Sequence, residues 1–373
     1  MTATTVLAPG SIAQAGSMLA ELGAAGLPIR PVGAGSRAGW GGPDRASTFL
    51  STAKLDRMVE HNPGDFTAVL EAGVPLAAAQ EAFATAGQWL AIDPGPPGGT
   101  IGGLVATADS GPSRHRYGGV RDLVIGVTLV LSDGSIAKSG GRVIKNVAGY
   151  DLGKLFTGSY GTLGLIAQVA VRLHPLPTST ATAVGSFTDP SALARAAAGL
   201  ARRPLAANCL DAAWAGGAGR LLVRFGGVTA GDQAAAVAAT LPDGRVVEDD
   251  SALWADQRGA QRSADGVVLA VSGRPGDLAR VAEAADAAGA TLVSRAALGL
   301  SWLALPFTED LASRVAAVRQ ALAPRAVTVR DGGDRVADPW PAVEPGALAV
   351  MERVKARFDP ARIFRPGAFV GGL

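Results

Sequence analysis

Cysteine is nearly absent from this chain. Cys209 is the only one among 373 residues. A single thiol cannot close an intrachain disulfide, and it cannot supply the cysteine sets that hold zinc or iron–sulfur clusters. Base rates favour Cys209 as a small buried hydrophobic residue. We therefore expect no metal centre, and we expect the protein in a reducing cytoplasm.

An excess of one charge and long apolar runs are also lacking. The chain has 34 Lys and Arg against 32 Asp and Glu, and its arginines are scattered. We therefore expect no nucleic acid partner. The longest weakly charged stretch, 72–108, is broken by prolines and glycines, so we expect no transmembrane segment. The first residues do not read as a secretory signal. At 373 residues the chain exceeds the usual size of one core, so we expect two or three domains, and its 48% apolar residues indicate that they are compact.

Glycine is abundant, and three glycine-rich loops lie beside predicted strands, at 33–42, 94–119 and 157–164. Glycine lets a backbone approach a ligand closely and adopt positive φ, so that successive N–H groups can surround an anion. One such loop alone would be read as a surface connection. Three of them within about 130 residues are unusual for plain turns. Together they predict a cradle for a phosphate-bearing cofactor.

The first of these loops fits the dinucleotide fingerprint G-x-G-x-x-A over 33–38, directly after a predicted strand at 28–32. That fingerprint needs a helix to begin at its third small residue. The glycines and the proline of 39–43 would break such a helix. We therefore do not expect a nicotinamide site, although the same turn could bind a pyrophosphate through its N–H groups.

Periodicity predicts a mixed architecture. Apolar residues at helical spacing predict a helix over 12–22, and alternation over 163–173 predicts a strand with one apolar face. From 178 onward, alanine-rich helical stretches alternate with short strands, which predicts a second α+β domain of ferredoxin-like type. A last helix is predicted over 346–357.

Six segments carry a family resemblance. They are PVGAGS at 31–36, DFTAVLEAGVPL at 65–76, PGGTIGGLVATADSG at 97–111, RYGGVRD at 116–122, NVAGYDLGKLFTGSYGTLG at 146–164 and FDPARIFRPG at 358–367. Together they resemble the FAD-binding fold of the vanillyl-alcohol oxidase and p-cresol methylhydroxylase (PCMH-type) family, over residues 1 to about 175 and the C-terminal tail. Their spacing and the short length are most similar to the E-subunit family of bacterial glycolate oxidases.

The resemblance implies an α+β fold with three parts. Residues 1–175 would form a PCMH-type FAD-binding domain of two α/β subdomains, 1–56 and 57–175. Residues 176–342 would form a smaller, ferredoxin-like α+β cap that binds substrate or a partner. Residues 343–373 would form a helix and tail that return to the FAD-binding domain.

The resemblance also implies FAD, held without a covalent bond. Some relatives link the flavin to a His or Cys, but this chain has Gly35 at the matching position, and His115 is read as a surface residue. Val32 to Arg37 would contact the pyrophosphate, and Gly98 to Gly103 would lie beside the flavin and ribityl chain. The implied cofactor-binding residues are Val32, Gly33, Ala34, Gly35, Ser36, Arg37, Pro96, Gly98, Gly99, Thr100, Ile101, Gly102, Gly103, Thr107, Ser110, Gly111, Arg114, Tyr117, Gly118, Gly161, Gly164 and Ile166.

The implied activity is oxidation of a 2-hydroxy acid, such as glycolate, to the 2-oxo acid. One cysteine cannot hold an iron–sulfur cluster, so the electrons would have to leave the flavin to a partner subunit. The resemblance implies that the partners are a second flavoprotein subunit and an iron–sulfur subunit, through which the protein could lie at the inner membrane. Two alternatives stay open: an FAD subunit that only transfers electrons or supports assembly, and an FAD-dependent sugar or alcohol oxidase of the same fold. No catalytic base is assigned. Arg114, Lys145 and Tyr150 are candidates by proximity to the motifs, but each is equally well a structural residue or an FAD contact.

Overall fold

The computed structural model describes residues 5–141 and 151–373. The chain begins with β1 (Thr5–Leu7), α1 (Ile12–Ala24), β2 (Ile29–Val32) and β3 (Thr48–Ser51). The three strands form a parallel sheet in the order β1-β3-β2, and α1 packs its apolar side into the core beneath it. The predicted first helix is confirmed. Its N-cap is Ser11, whose side-chain oxygen accepts the N–H of Gln14.

A five-stranded antiparallel sheet follows. The segment that forms this sheet contains, in chain order, β4 (Met58–Asn62), β5 (Thr67–Glu71), α2 (Leu76–Ala84), β6 (Gln88–Trp89), α3 (Ile101–Thr107), α4 (Arg114–Tyr117), α5 (Val120–Leu123), β7 (Val124–Val130), β8 (Ile136–Gly140), α6 (Leu152–Phe156), β9 (Leu165–Arg172) and β10 (His174–Pro175). The strand order is β4-β5-β9-β7-β8, while β6 pairs with β10 apart from it. The predicted strand is confirmed as β9, but the prediction of one apolar face is wrong, because both faces are buried. Leu165 and Ala167 pack in the core of α1, while Ile166 packs with α2 and α3.

The next part of the chain forms one eight-stranded antiparallel sheet. Its elements are β11 (Thr180–Phe187), α7 (Pro190–Ala201), β12 (Cys209–Ala215), β13 (Ala218–Gly226), α8 (Ala230–Ala238), β14 (Arg245–Val247), α9 (Ser251–Gly259), β15 (Gly266–Ser272), α10 (Leu278–Ala287), β16 (Thr291–Arg295), β17 (Leu300–Pro306), α11 (Leu311–Leu322) and β18 (Ala326–Val329). The order is β14-β11-β13-β12-β16-β17-β15-β18.

This order contains the ferredoxin-like β-α-β-β-α-β unit twice. Strands β11 to β14 and strands β15 to β18 each follow that pattern, and the two units join where β12 pairs with β16. Helices α7, α8, α10 and α11 cover one face of the sheet. The ferredoxin-like prediction for this region therefore describes one half of the sheet, and the structure repeats it.

The chain ends with α12 (Pro345–Phe358) and a tail that returns to the first two sheets. Buried Lys355 ties this end of the chain down: its Nζ donates to the carbonyls of Thr162 at 2.6 Å and Phe364 at 2.7 Å and to Asp359 at 2.8 Å. Phe364 also bridges to Ile29 of β2. We propose the domain boundaries near 175 and 343, because these positions lie between the sheets and before α12. No helix in the described ranges is long and apolar enough to cross a membrane.

Candidate functional site

An open cavity lies where the end of β2, the start of α3 and the start of β9 meet. We call it the loop cavity. Its wall comes from 30–38, from 100–107 and from 160–166, together with Thr52, Ala72 and Arg365. Two of the glycine-rich loops that the sequence singled out therefore meet the end of the third, although about 130 residues separate the first from the last. The fold brings their backbones to one concave surface.

More than half of the residues predicted to bind the cofactor line the loop cavity. They are Val32, Gly33, Ala34, Gly35, Ser36, Arg37, Thr100, Gly102, Gly103, Thr107, Gly161, Gly164 and Ile166. The others lie outside its wall: Pro96, Gly98, Gly99, Ile101, Ser110, Gly111, Arg114, Tyr117 and Gly118. Residues that line it without having been predicted are Arg30, Pro31, Ala38, Thr52, Ala72, Ala106, Tyr160, Leu165 and Arg365.

Two positions of the first loop require glycine. A Cβ on Gly33 would lie 2.2 Å from the Thr100 Oγ1, so the first and second loops touch only because the side chain is missing. Gly35 has φ +71°, in the left-handed region that L side chains rarely adopt. The Thr100 hydroxyl in turn accepts the N–H of Gly103 and so begins α3. The cavity is thus bounded by closely approaching backbone, as a bulky phosphate-bearing ligand requires.

The side chain of Arg37 does not point into the cavity. Its Nε and Nη2 donate to one oxygen of Asp109 at 2.8 and 2.5 Å, and Nη1 donates to the Ser36 hydroxyl at 2.6 Å. Carbonyls of Gly95, Pro97 and Gly98 take further bonds. The guanidinium thus clamps the first loop onto the second. We expect only the backbone of Arg37 to face a ligand.

Residues 110–118 do not line the loop cavity, and their contacts lie elsewhere in the fold. Gly111 has no room for a side chain, since its Cβ would lie 1.6 Å from the carbonyl oxygen of Asp93. Tyr117 packs against Trp89 and His174, with ring centroids 5.5 and 4.7 Å away. Arg114 donates to the Ser110 hydroxyl at 3.3 Å, and burial lowers the pKa of its guanidinium. Lys145 and Tyr150, the other two candidates for a catalytic role, lie outside the described residues.

A positively charged wall was missed by the sequence reasoning. Arg30 and Arg365 both line the cavity and share the buried carboxylate of Asp44, at 2.7 Å from the Arg30 Nε and 2.9 Å from the Arg365 Nε. Arg365 also donates to the carbonyl of Tyr160 at 2.8 Å. Two cations with one carboxylate leave the wall net positive, which suits an anionic ligand. Arg365 lies inside the FDPARIFRPG segment, so this motif could have indicated that the C-terminal tail contributes a cation to the site.

The Asp44 carboxylate predicts a pH dependence of stability. Burial alone would raise its pKa, but hydrogen bonds from Arg30 and Arg365 outweigh that and hold the pKa below its usual range. Because the folded chain binds this proton less readily than the unfolded chain, Asp44 stabilises the fold above about pH 4, and this stabilisation is lost as the pH falls further. Urea unfolding from about pH 6 down to pH 3 should show the loss, and the Asp44→Asn chain should show a shallower one. Equal slopes would contradict the assignment.

Comparisons with known proteins agree with this geometry. Residues 3–140 match the FAD binding domain family. The chain is 37% identical over 165 residues to a probable mitochondrial D-lactate dehydrogenase of Danio rerio, covering 43% of this chain and 33% of that protein. It is 36% identical over 152 residues to glycolate oxidase subunit GlcE of Escherichia coli, covering 40% and 43%. Glycolate oxidase subunit GlcD of Bacillus subtilis is 32% identical over 192 residues, covering 51% and 41%.

The chain thus spans about a third to two fifths of the length of these curated relatives. Among solved structures, alkyldihydroxyacetonephosphate synthase superposes with a TM-score of 0.72 at 14% identity, covering 97% of this chain and 76% of that one. The fold is therefore the α+β fold of the PCMH-type flavoproteins. More particularly, the chain carries a PCMH-type FAD-binding domain, and its cofactor is FAD. The resemblance and the fold class predicted from the sequence are confirmed.

Proposed function

We propose that FAD binds in the loop cavity without a covalent bond. The observation that carries this proposal is the meeting of 33–37, 100–107 and 161–166 at one wall. The first two of these segments lie within residues 3–140, which match the FAD binding domain family. Backbone N–H groups of the first loop would hold the pyrophosphate, and Arg30 and Arg365 would offset its charge. The glycines of α3 would let the ribityl chain lie against the helix backbone. When bound, FAD supplies an acceptor for two electrons.

We propose further that the protein takes part in oxidising a 2-hydroxy acid, with glycolate giving glyoxylate. The support is the similarity to glycolate oxidase subunits and D-lactate dehydrogenases. Electrons would leave to a second flavoprotein subunit and an iron–sulfur subunit, because this chain has one cysteine, and burial raises the pKa of its thiol well above the usual range. A protonated, buried thiol does not ligate iron.

Anaerobic stopped-flow mixing tests this function. The FAD-loaded chain is mixed with glycolate, then with D-lactate, and the flavin absorption band is followed. We expect the band to bleach with at least one of the two acids. Bleaching that requires co-purified partner subunits would assign this chain to electron transfer or assembly instead. Bleaching by sugars or simple alcohols alone would overturn the hydroxy-acid proposal.

A further inference from the structure

An ion pair is buried at the centre of the eight-stranded sheet, where its two ferredoxin-like units join. Asp211 of β12 and Arg295 of β16 are opposite each other in the register, and both side chains are fully inaccessible to solvent. The Arg295 Nη1 donates to the Asp211 Oδ2 at 2.5 Å. The Trp302 ring lies 4.7 Å from the guanidinium carbon of Arg295. The pair is therefore held in position from two directions.

The pair leaves hydrogen-bonding groups unused. Arg295 Nε and Nη2, Asp211 Oδ1 and Gln261 Oε1 are all buried, and none has a hydrogen-bond partner within the described ranges. A buried polar group without a partner is costly, and such groups in native proteins usually mark a bound water, ion or ligand. The Arg295 nitrogens are donors that could bind a negatively charged group, and the Asp211 and Gln261 oxygens are acceptors that could bind a hydroxyl group.

The two unpaired nitrogens of Arg295 form a fork of donors that can bind a carboxylate. Nε and Nη2 lie on one edge of the guanidinium and can donate two parallel bonds to one carboxylate. Four other arginines use this same edge on an aspartate: Arg30 on Asp44, Arg37 on Asp109, Arg224 on Asp250 and Arg325 on Asp277. Arg295 is different, because it holds Asp211 through Nη1 and keeps the fork free.

The pair is connected to the loop cavity by short steps. Gln257 of α9 donates to the Asp211 Oδ2 at 3.0 Å, and Gln261, one turn further along, donates to the carbonyl of Ser110 at 3.2 Å. Ser110 follows Asp109, which binds Arg37 on the cavity wall. The loop at 94–119 therefore contacts Gln261 through Ser110 and the cavity wall through Asp109.

The Asp211 carboxylate is tuned toward proton exchange near neutral pH. Burial raises its pKa to about 6, and the charge of Asp93 in the loop before α3 adds to the rise. Arg295 and the hydrogen bond from Gln257 oppose it. The thiol of Cys209, on the same strand, stays protonated because burial raises its pKa as well. A carboxylate with such a pKa can accept a proton and release it again at physiological pH.

We propose that Arg295 and Asp211 form the subsite for the 2-hydroxy acid, with the Arg295 fork binding the substrate carboxylate and Asp211 accepting the proton of the substrate hydroxyl. The subsite rests on the proposed oxidation. The O–H bond breaks and its proton goes to Asp211. FAD, when bound, would supply the acceptor for the Cα–H hydrogen and both electrons of its bond, and the former hydroxyl oxygen would become a carbonyl oxygen. Atoms, charge and electrons balance without another reactant.

The test uses the FAD-loaded chain and oxalate, a carboxylate that has no hydrogen to lose. Oxalate binding is measured by calorimetry and by its perturbation of the flavin spectrum, separately from turnover. Arg295→Lys keeps the charge but removes the fork, so we expect the oxalate Kd to rise roughly 100-fold. The matched control is Arg224→Lys, whose fork is already filled by Asp250 in the same sheet. Its oxalate Kd should stay within about twofold of the wild-type value.

Asp211→Asn tests the proton acceptor. We expect it to retain FAD and oxalate, and to lower the rate of flavin reduction by glycolate by about 10² to 10⁴. Equal oxalate affinity in wild type and Arg295→Lys would overturn the subsite, as would an unchanged reduction rate in Asp211→Asn. If glycolate and D-lactate fail to reduce wild type, the oxidation proposal fails by itself, and oxalate binding still decides whether Arg295 binds a carboxylate.

The wild-type protein gives a second measurement that no folding defect can disturb. The rate of flavin reduction should rise with pH as Asp211 ionises, with a midpoint near pH 6. The charged groups that face this carboxylate are Arg295 and Asp93, so both belong to the titrating unit. A reduction rate that is flat from about pH 5 to 8 would overturn the role of Asp211.

Discussion

Replacing Asp109 by asparagine is expected to lower the free energy of unfolding by about 3–5 kcal/mol, because it leaves the guanidinium of Arg37 buried without its counter-charge. The two side chains are only 4% and 6% exposed. The same guanidinium also holds the Ser36 hydroxyl and the carbonyls of Gly95, Pro97 and Gly98, so its displacement would separate the first two glycine-rich loops. Urea unfolding followed by circular dichroism measures the loss.

The matched control is Asp334→Asn. Asp334 pairs with Arg335 at 3.5 Å, but both side chains are mostly exposed, at 79% and 65%. Solvent screens such a pair, so this change should alter the free energy of unfolding by no more than about 0.5 kcal/mol. If Asp109→Asn were as mild as Asp334→Asn, the clamp between the loops would not hold the structure together.

Gly103→Val is expected to weaken FAD binding by about 10- to 100-fold, the effect of the 1–3 kcal/mol that overpacking costs. Gly103 lies in α3 and lines the loop cavity. The nearest atom to an added Cβ is the Thr100 Oγ1 at 3.3 Å, so the protein itself can accept a side chain there with a small adjustment. The added methyl groups would occupy space that we assign to the cofactor. Flavin fluorescence titration of the apoprotein gives the Kd.

Gly199→Val provides the control for Gly103→Val. Gly199 lies in helix α7, which packs on the eight-stranded sheet, and an added Cβ there would meet no atom within 4 Å. Its FAD affinity should equal that of wild type. Gly102→Val is a poorer test, because a Cβ there would lie 2.6 Å from the Cβ of Ala72 and would disturb the fold itself. Unchanged affinity in Gly103→Val would show that FAD does not lie against α3.

Local sequence carried much of the cofactor prediction. The loops at 33–37 and 100–103 could be predicted to approach a ligand because several glycines recur in them beside predicted strands. The structure brings both loops to one wall of the loop cavity. Sequence could not show which way Arg37 points. Its carboxylate partner, Asp109, is 72 residues away in the sequence. The motif alone therefore predicted a contact between Arg37 and the pyrophosphate of the cofactor. The structure shows that the guanidinium of Arg37 instead holds the first glycine-rich loop against the second.

Contacts across long separations account for what the sequence reasoning missed. Arg365 meets Asp44 at a separation of 321 residues, and Arg295 meets Asp211 at 84. Such pairs have no local spacing rule, because the register of the strands and the path of the tail bring them together. The repeated ferredoxin-like unit was missed for a similar reason: β11, β12, β14 and β16 are short or lie in alanine-rich stretches that resemble the neighbouring helices.

Binding of FAD in the loop cavity is the central claim. An equilibrium titration of the apoprotein with FAD, followed by gel filtration and an absorption spectrum of the protein peak, tests it most directly. The account predicts one FAD per chain, retained through the column and released on unfolding, with weaker retention in Gly103→Val. A wild-type protein that stays colourless and leaves the fluorescence of added FAD unchanged would contradict it.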